Sequence, residues 1–253
     1  MSIITIATDF GTVDGYAAAV KGVIKSITPE ADMVDITHEL EGIFKAALVL
    51  TRYYSSYPSG TVHLVVVDPT VGSPRSALIG YDGKYHFVGP DNGIFTRIAV
   101  GNQESKWWAI DSSRLPSPKC SNTFHGRDIF APAAALLARG ISRDEIGEKI
   151  DMPIQIQIPQ PMVLDDGVWG EIIDIDRFGN LVTNIGSEII KDGAAVALED
   201  DVSIGLARTY SDVPKGEPLA YIGSLGYLEI GVNLGRADTY FSVGVGRKVR
   251  VIF

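Results

Sequence analysis

The first 68 residues alternate between short apolar runs rich in β-branched residues and longer segments whose apolar residues recur at helical spacing. The strand-like runs lie at residues 3–7, 33–37 and 62–68, and the helix-like segments lie at residues 15–27 and 43–57. Strands separated by helices are joined by right-handed crossovers, which place the strands side by side in a parallel sheet. The alternation therefore predicts an α/β domain with a largely parallel sheet.

Two further patterns extend this domain. Residues 76–81 and 85–89 predict a pair of extended segments, reversed by the Asp-Gly turn at residues 82–83. Residues 128–139 predict a helix, because their apolar residues are nearly continuous and a glycine follows the last of them.

The pattern changes after residue 150. Residues 153–167 contain three prolines and alternate isoleucine with glutamine, which predicts an extended linker. From residue 168 onward the chain consists of short strand-like runs separated by glycine turns, which predicts a small antiparallel sheet or barrel. We therefore expect two domains, residues 1–160 and residues 161–253.

Composition and charge exclude several classes of protein. The 22 basic and 31 acidic residues give a net charge of −9 with no basic cluster, so we expect no binding to nucleic acid. The N-terminal ten residues lack a basic segment, and no apolar run approaches the roughly 20 residues of a membrane span. Cys120 is the single cysteine, so an intrachain disulfide is impossible. We expect a soluble cytoplasmic protein.

Two aspartates directly follow predicted strands, Asp9 after the first and Asp68 after the third. Ligands of open α/β sheets bind at the carboxyl ends of the strands, although either residue could simply cap its loop. A carboxylate at the position of Asp9 could accept both hydroxyls of a ribose. Asp68 and Arg75 end a loop rich in proline and glycine, where they would form either a loop salt bridge or a charged pair that holds a water molecule.

A second polar loop, residues 122–128, carries His125 just before a predicted helix. Its arginine and aspartate could be surface and capping groups, but a histidine in a polar loop is less readily explained as a core residue. The four histidines lack metal-ligand spacing, and the chain has no phosphate-binding glycine loop or serine elbow. We therefore predict no metal site and no cofactor. A third crowded turn spans residues 174–184.

Five motifs in these regions resemble a known family. They are DFGTVDGY at residues 9–16, VVVDPTVGSPR at 65–75, TFHGRDIFAP at 123–132, DRFGNLVTN at 176–184 and GSLGYLEIGVN at 223–233. Their order across both halves of the chain resembles the S-adenosylmethionine hydroxide adenosyltransferases. These are adenosine-forming S-adenosylmethionine hydrolases, related to fluorinase and chlorinase.

The resemblance implies an N-terminal α/β domain, a smaller C-terminal β-barrel domain, and a homotrimer. Each site of that trimer would lie between the N-terminal domain of one subunit and the C-terminal domain of its neighbour. In the N-terminal domain, Asp9 matches the residue that holds the ribose diol. Asp68, Arg75 and His125 match the three residues around the nucleophilic water of the hydrolases.

The resemblance assigns the remaining substrate contacts to the C-terminal domain. Asp176 and Ser224 match the residues that hold the amino and carboxylate ends of the methionine moiety. Phe178, Asn180 and Tyr210 match the residues that stack on adenine or hydrogen-bond to it.

The resemblance implies attack of water or hydroxide at the ribose C5′ of S-adenosylmethionine, releasing adenosine and L-methionine. Whether Asp68 acts as a general base or as part of an electrostatic pocket stays open. One alternative is a halogenase of the same fold, which is disfavoured because Gly126 offers no hydroxyl and His125 is present. Another is a module that binds S-adenosylmethionine without turning it over. Leu225 stands where fluorinase has an arginine, so backbone N–H groups could supply that carboxylate contact.

Overall fold

The computed structural model describes residues 2–116, 121–191, 193–198 and 202–253, so that Cys120 lies outside the described residues. The chain divides into two compact units, Met1–Ile156 and Gln157–Phe253, called unit 1 and unit 2. The proline-containing residues 151–161, near the predicted boundary, carry no regular secondary structure.

Unit 1 contains seven strands and five α-helices among its described residues. In chain order they are β1 (Ile3–Thr8), α1 (Tyr16–Ile27), β2 (Asp32–Thr37), α2 (Gly42–Tyr53), β3 (Val62–Val66), β4 (Ala77–Tyr81), β5 (His86–Pro90), α3 (Thr96–Gly101), β6 (Lys106–Ile110), α4 (Ala131–Ala138), α5 (Arg143–Ile146) and β7 (Gly147–Ile150). A π-helical turn, Gly126–Phe130, leads directly into α4. The strands and helices predicted from the sequence are present with small shifts at their ends.

The seven strands of unit 1 form one sheet in the order β2-β1-β3-β5-β4-β6-β7. The pairs among β2, β1, β3 and β5 are parallel, whereas β4, β6 and β7 pair antiparallel. The predicted α/β fold is confirmed. The sheet is mixed because the Asp-Gly turn at residues 82–83 reverses the chain between β4 and β5, as the sequence predicted.

Both faces of the sheet are covered by apolar packing, as the crossovers require. On β3, Leu64 belongs to a core that includes residues of α1 and α4, and its neighbour Val65 belongs to a core that includes residues of α2 and α3. Successive side chains of a strand point to opposite faces, so a central strand covered on both faces is largely apolar. Thr5 of β1 and His63 of β3 are buried exceptions, and their side chains hydrogen-bond to each other at 2.8 Å.

The carboxyl ends of β1 and β3 lie side by side. The pairing register aligns Thr8 with Val66, and the N–H of Asp9 donates a hydrogen bond to the carbonyl of Val66 at 3.3 Å. Because the two strands run in parallel and end in register, the residues that follow them leave the same edge of the sheet. This edge brings together the loops that begin at Asp9 and at Asp68.

Unit 2 contains eight strands and one α-helix among its described residues. They are β8 (Met162–Leu164), β9 (Gly167–Ile175), β10 (Leu181–Gly186), β11 (Ala195–Leu198), β12 (Val202–Ile204), β13 (Pro218–Ile222), β14 (Tyr227–Val232), α6 (Ala237–Phe241) and β15 (Lys248–Ile252). The sheet order is β12-β11-β15-β9-β10-β14-β13, with β8 paired to β9, and every strand pair is antiparallel.

The sheet of unit 2 is barrel-like and encloses a core of its own. Leu181, Ile230 and Val249 are fully buried within this core. The predicted β-barrel class for this half of the chain is confirmed. In neither unit do the described residues form a helix long and apolar enough to cross a membrane.

The close packing of β3 and β5 predicts that Gly89→Ala destabilises unit 1. A Cβ at Gly89 would lie 2.2 Å from the carbonyl oxygen of Val65, which belongs to a fixed backbone. We expect a loss of about 1–3 kcal/mol in the free energy of unfolding, measured by chemical denaturation.

Gly22→Ala is the matched control, because a Cβ at this exposed position in α1 meets nothing within 4 Å. It should raise the free energy of unfolding by roughly 0.5–1 kcal/mol. A Gly89→Ala protein as stable as the parent would contradict the packing described here.

Candidate functional site

Asp68 and Arg75 form a two-point ion pair at the edge of the sheet of unit 1. The Arg75 Nε donates to Oδ1 of Asp68 at 2.8 Å, and Nη2 of Arg75 donates to Oδ2 of the same carboxylate. Each side chain is only 6% exposed. A guanidinium that binds both oxygens of a carboxylate fixes its plane as well as its charge. Arg75 therefore fixes the position and the plane of the Asp68 carboxylate.

His125 contacts this pair through Arg75. The Nη2 of Arg75 lies 2.9 Å from Nδ1 of His125. An arginine can only donate, so Nδ1 accepts and the ring proton resides on Nε2. Desolvation is the largest effect on the pKa of His125 and lowers it, and the positive charge of Arg75 lowers it further. The negative charges of Asp68 and Asp128 raise it, but by less. The imidazole is therefore neutral at pH 7, with an N–H donor at Nε2.

A close backbone contact joins the two loops of the cluster. Gly72 has a φ of 84°, and a Cβ there would lie 2.8 Å from the carbonyl oxygen of Asn122. Any side chain at this position would strain the backbone and push the loops apart. Glycine at position 72 therefore allows the loop of Arg75 to reach the loop of His125.

The loop of His125 is held by the residues that follow it. Asp128 accepts a hydrogen bond from the N–H of Ser121 at 2.8 Å and a two-point contact from Arg127 at 2.6 and 3.0 Å. Burial opposes ionisation of Asp128, but these hydrogen bonds outweigh it and lower its pKa. Gly126 is buried, and a Cβ there would lie 2.7 Å from the ring of Phe10. The place of a side chain at position 126 is therefore already filled by the ring of Phe10.

Asp9 differs from Asp68 in its surroundings. Asp9 is exposed, but desolvation by the neighbouring protein raises the pKa of Asp9. The charge of Asp68 adds to this increase, and backbone N–H groups of Asp9 and Asp68 partly offset it. A carboxylate that is open to solvent is suited to accept hydrogen bonds from a neutral hydroxylated ligand.

In unit 2, Asp176 organises the turn between β9 and β10. Its Oδ1 accepts from the N–H groups of Phe178 and Asn180 at 2.8 and 2.9 Å, and its Oδ2 accepts from the Asn180 amide at 2.8 Å. Gly179 completes the turn with a φ of 86°. The turn leaves the ring of Phe178 73% exposed, whereas Asn180 is 5% exposed. Asp176, Phe178 and Asn180 thus form one local unit.

Tyr210 belongs to a chain of hydrogen bonds that ends at Glu229. The hydroxyls of Tyr210 and Tyr221 are 2.6 Å apart, and the Tyr221 hydroxyl donates to Glu229 at 2.7 Å. Burial, together with the hydrogen bonds to Tyr210 and Glu229, raises the pKa of Tyr221 well above its ordinary value. A Cβ at Gly231 would lie 2.9 Å from the Asn180 amide oxygen and 3.0 Å from the Tyr210 ring. Because position 231 has no side chain, both Asn180 and Tyr210 can approach the backbone of β14 there.

Ser224 is exposed in the turn that joins β13 to β14. A Cβ on the preceding Gly223 would lie 2.0 Å from Oε1 of Glu229, so the turn packs directly against the Glu229 carboxyl. The sequence analysis does not single out Tyr221 or Glu229, although Glu229 lies within the GSLGYLEIGVN motif and Tyr221 lies two residues before it. Their contact depends on the pairing of β13 with β14, which aligns Tyr221 with Glu229. Among the described residues, no group of His, Cys, Asp and Glu could hold a metal ion.

Fold and site together define a class: a two-unit protein with an α/β sheet, a β-barrel-like sheet, and an Asp–Arg–His cluster at the ends of parallel strands. The model of the SAM hydroxide adenosyltransferase N-terminal domain matches residues 4–147, and that of the C-terminal domain matches residues 170–250. The chain belongs to the SAM hydroxide adenosyltransferase family.

Individual relatives agree with this assignment over the whole chain. A protein of Thermus thermophilus named (R)-S-adenosyl-L-methionine hydrolase is 36% identical, covering 97% of each chain. A protein of the same name from Methanocaldococcus jannaschii is 33% identical over 100% of this chain and 97% of its own. A fluorinase of Actinopolyspora mzabensis is 25% identical, covering 98% of this chain and 96% of its own. The crystal structure of a conserved protein from Thermotoga maritima has a TM-score of 0.91 at 35% identity, covering 100% of both chains.

The contact between Arg75 and His125 predicts the titration of the imidazole. We expect the His125 ring to titrate below the ordinary value of about 6.5 in NMR spectra, assigned with a His125→Asn variant. Arg75→Met should raise that pKa, because it removes a positive charge and leaves Asp68 nearby. Arg114→Met, which alters an arginine paired with Asp111, is the control. An unchanged titration in Arg75→Met would contradict the contact.

Proposed function

We propose that the protein hydrolyses S-adenosyl-L-methionine to adenosine and L-methionine. The observation that carries this proposal is the contact of Arg75 with both Asp68 and a neutral His125. This arrangement provides a carboxylate acceptor, a fixed positive charge and an N–H donor, the three kinds of group that can orient a water molecule or hydroxide. Relatives at 33–36% identity that are named as hydrolases of this substrate support the same conclusion.

The reaction forms a bond from the water oxygen to the ribose C5′ and breaks the bond from C5′ to the sulfonium sulfur. The sulfur leaves as a neutral thioether, so its departure needs no proton. The difficulty is the nucleophile, because water is weak and hydroxide is strongly solvated. Positioning and exclusion of other water molecules are therefore the contributions required of the protein.

The ion pair favours an electrostatic role for Asp68. Its carboxylate is bonded at both oxygens by Arg75 and keeps lone pairs that can accept a hydrogen bond from water. Arg75 stabilises the negative charge of an incoming hydroxide, and the Nε2–H of His125 can donate to its oxygen. The proton of the water passes to solvent, either directly or by way of Asp68.

We assign the substrate contacts to the residues that match the motifs of the family. The exposed carboxylate of Asp9 accepts the ribose hydroxyls, and the exposed ring of Phe178 stacks on adenine. Tyr210 provides the second stacking surface, and Asn180 hydrogen-bonds to the base. Asp176 binds the methionine amino group with the lone pairs that its own turn leaves unused, and Ser224 contacts the methionine carboxylate.

We further propose that the protein acts in the cytoplasm as a homotrimer. The proposed ribose and water residues lie before residue 130, and the proposed adenine and methionine residues lie after residue 170. The family resemblance suggests that a complete site combines the first set from one subunit with the second set from its neighbour.

The test of the reaction is product identification by mass spectrometry. Purified protein is incubated separately with the two sulfonium epimers of S-adenosyl-L-methionine, since the relatives are named for the (R) form. Adenosine and methionine in equal amounts are expected. Parallel reactions with chloride or fluoride test the halogenase alternative, for which 5′-halo-5′-deoxyadenosine is the product. Tight binding of both epimers without any product would instead identify a binding module.

His125→Ala should lower the rate while leaving substrate affinity nearly unchanged. Loss of one positioned donor at a site of developing charge typically costs about 10²–10³ in rate, or roughly 3–4 kcal/mol. Asp9→Ala should weaken binding first, because the ribose is held in both the ground state and the transition state. Titration calorimetry measures affinity, and single-turnover product formation measures the chemical step. Loss of affinity with normal turnover in His125→Ala would refute the water-orienting role.

Mixing two inactive variants tests the shared site. Asp68→Ala and Asp176→Ala each remove a residue from a different unit. If sites are shared between subunits, some sites in a mixed trimer contain both native residues, so exchange of subunits should restore part of the activity. Light scattering measures the trimer, and exchange is verified with differently tagged chains. No recovery despite verified exchange would show that each site is built within one chain.

A further inference from the structure

A second row of polar side chains lies beside Asp9, outside the cluster of Asp68, Arg75 and His125. The Oγ1 of Thr8 lies 2.8 Å from Nδ1 of His38, and Nε2 of His38 lies 3.2 Å from Oδ1 of Asp35. Thr8 is fully buried and His38 is 7% exposed. The order Thr–His–Asp suggests an activated hydroxyl, but a buried hydroxyl cannot contact a substrate. Any role of these three side chains must therefore be to position other residues of the protein.

The backbone of residues 38–40 is hydrogen-bonded to the chain on both sides of Asp9. The N–H of Gly11 donates to the carbonyl of His38 at 2.7 Å, and the N–H of Leu40 donates to the carbonyl of Thr8 at 3.1 Å. His38 thus contacts the chain before Asp9 with its side chain and the chain after Asp9 with its carbonyl. This support matters because β1 has ended at Thr8, and Gly11 has a φ of 64°, which ordinary residues rarely adopt.

The hydroxyl of Thr8 links His38 to the residue that follows Asp9. Its Oγ1 accepts a hydrogen bond from the N–H of Phe10 at 3.3 Å and lies 2.8 Å from Nδ1 of His38. The other ring nitrogen of His38, Nε2, lies beside the Asp35 carboxylate. Asp35 is itself paired with Lys21 at the surface.

We propose that His38 is a positioning residue that holds the Asp9 carboxylate in the orientation required to bind the two ribose hydroxyls. The proposal rests on the assignment of Asp9 to the ribose in the proposed function. A carboxylate that accepts two adjacent hydroxyls must turn both of its oxygens toward the diol, and an unsupported loop does not fix that orientation. Removal of His38 should therefore affect recognition of the diol more than general affinity.

The experiment compares the affinities of adenosine and 2′,3′-dideoxyadenosine by titration calorimetry. The ratio of the two dissociation constants isolates the diol. In the parent protein we expect adenosine to bind about 10- to 100-fold more tightly, as is typical of hydrogen bonds to a charged acceptor. In His38→Ala the ratio should fall to within about threefold of unity, as in Asp9→Ala, while affinity for the dideoxy compound changes little. A purely structural role would weaken both ligands equally.

Further variants separate positioning from folding. His38→Asn offers an amide close to the position of Nδ1 and should restore most of the ratio. Thr8→Val keeps the side-chain volume but removes the hydroxyl, so it should lower the ratio even if His38→Ala does not fold. His86→Ala is the matched control. His86 also hydrogen-bonds a side chain, Arg143, at 2.8 Å, but it pairs with Val62 at the amino-terminal ends of β5 and β3, away from the carboxyl ends where Asp9 lies.

Failure of this inference differs from failure of the proposed function. If the parent protein binds both nucleosides equally, Asp9 does not recognise the diol, and the ribose assignment itself is wrong. If the parent discriminates but His38→Ala and Thr8→Val retain the full ratio, the positioning role of His38 is wrong and the ribose assignment stands. A reduced ratio in His86→Ala would show that the effect is not specific, which also overturns the inference.

Discussion

The pair of Asp68 and Arg75 is the interaction on which the site of unit 1 depends. Both side chains are almost completely withdrawn from solvent, so each charge is tolerated only because the other is present. Removing one partner of such a pair typically costs about 3–5 kcal/mol, since an uncompensated charge remains buried. Arg75 also sets the tautomer of His125 through the same guanidinium. Charge balance and hydrogen-bond direction are therefore determined together, and salt in the solution screens them little.

The sequence predicted most of the fold because its signals are local. Strand and helix positions in the first 68 residues follow from side-chain periodicity, and the reversal at residues 82–83 follows from the Asp-Gly turn. The positions of β6 and β7 in the sheet were harder to predict from the sequence. The antiparallel pairing of β4 with β6, and of β6 with β7, joins segments far apart in sequence whose order no local pattern specifies. The barrel-like sheet of unit 2 was predicted only as a class.

The candidate site was predictable where residues follow strand ends or form dense motifs. Asp68, Arg75 and His125 were identified from such motifs, and the structure brings them into contact. His38, Tyr221 and Glu229 were not identified. His38 contacts Thr8, which is 30 residues away in the sequence, and Tyr221 meets Glu229 only because β13 pairs with β14. The Asp176 carboxylate closes its own turn, which the motif alone did not indicate.

The contact of Gly72 with the carbonyl of Asn122 has a consequence for how this protein can vary. Position 72 contributes no reactive atom, yet it sets the separation of the two loops that meet at Arg75. A random library selected for activity would therefore mark it as intolerant, in the same manner as a residue that touches substrate. Such a map would record the backbone geometry of the cluster as well as its chemistry. Functional importance at a glycine can thus arise from the atoms it lacks.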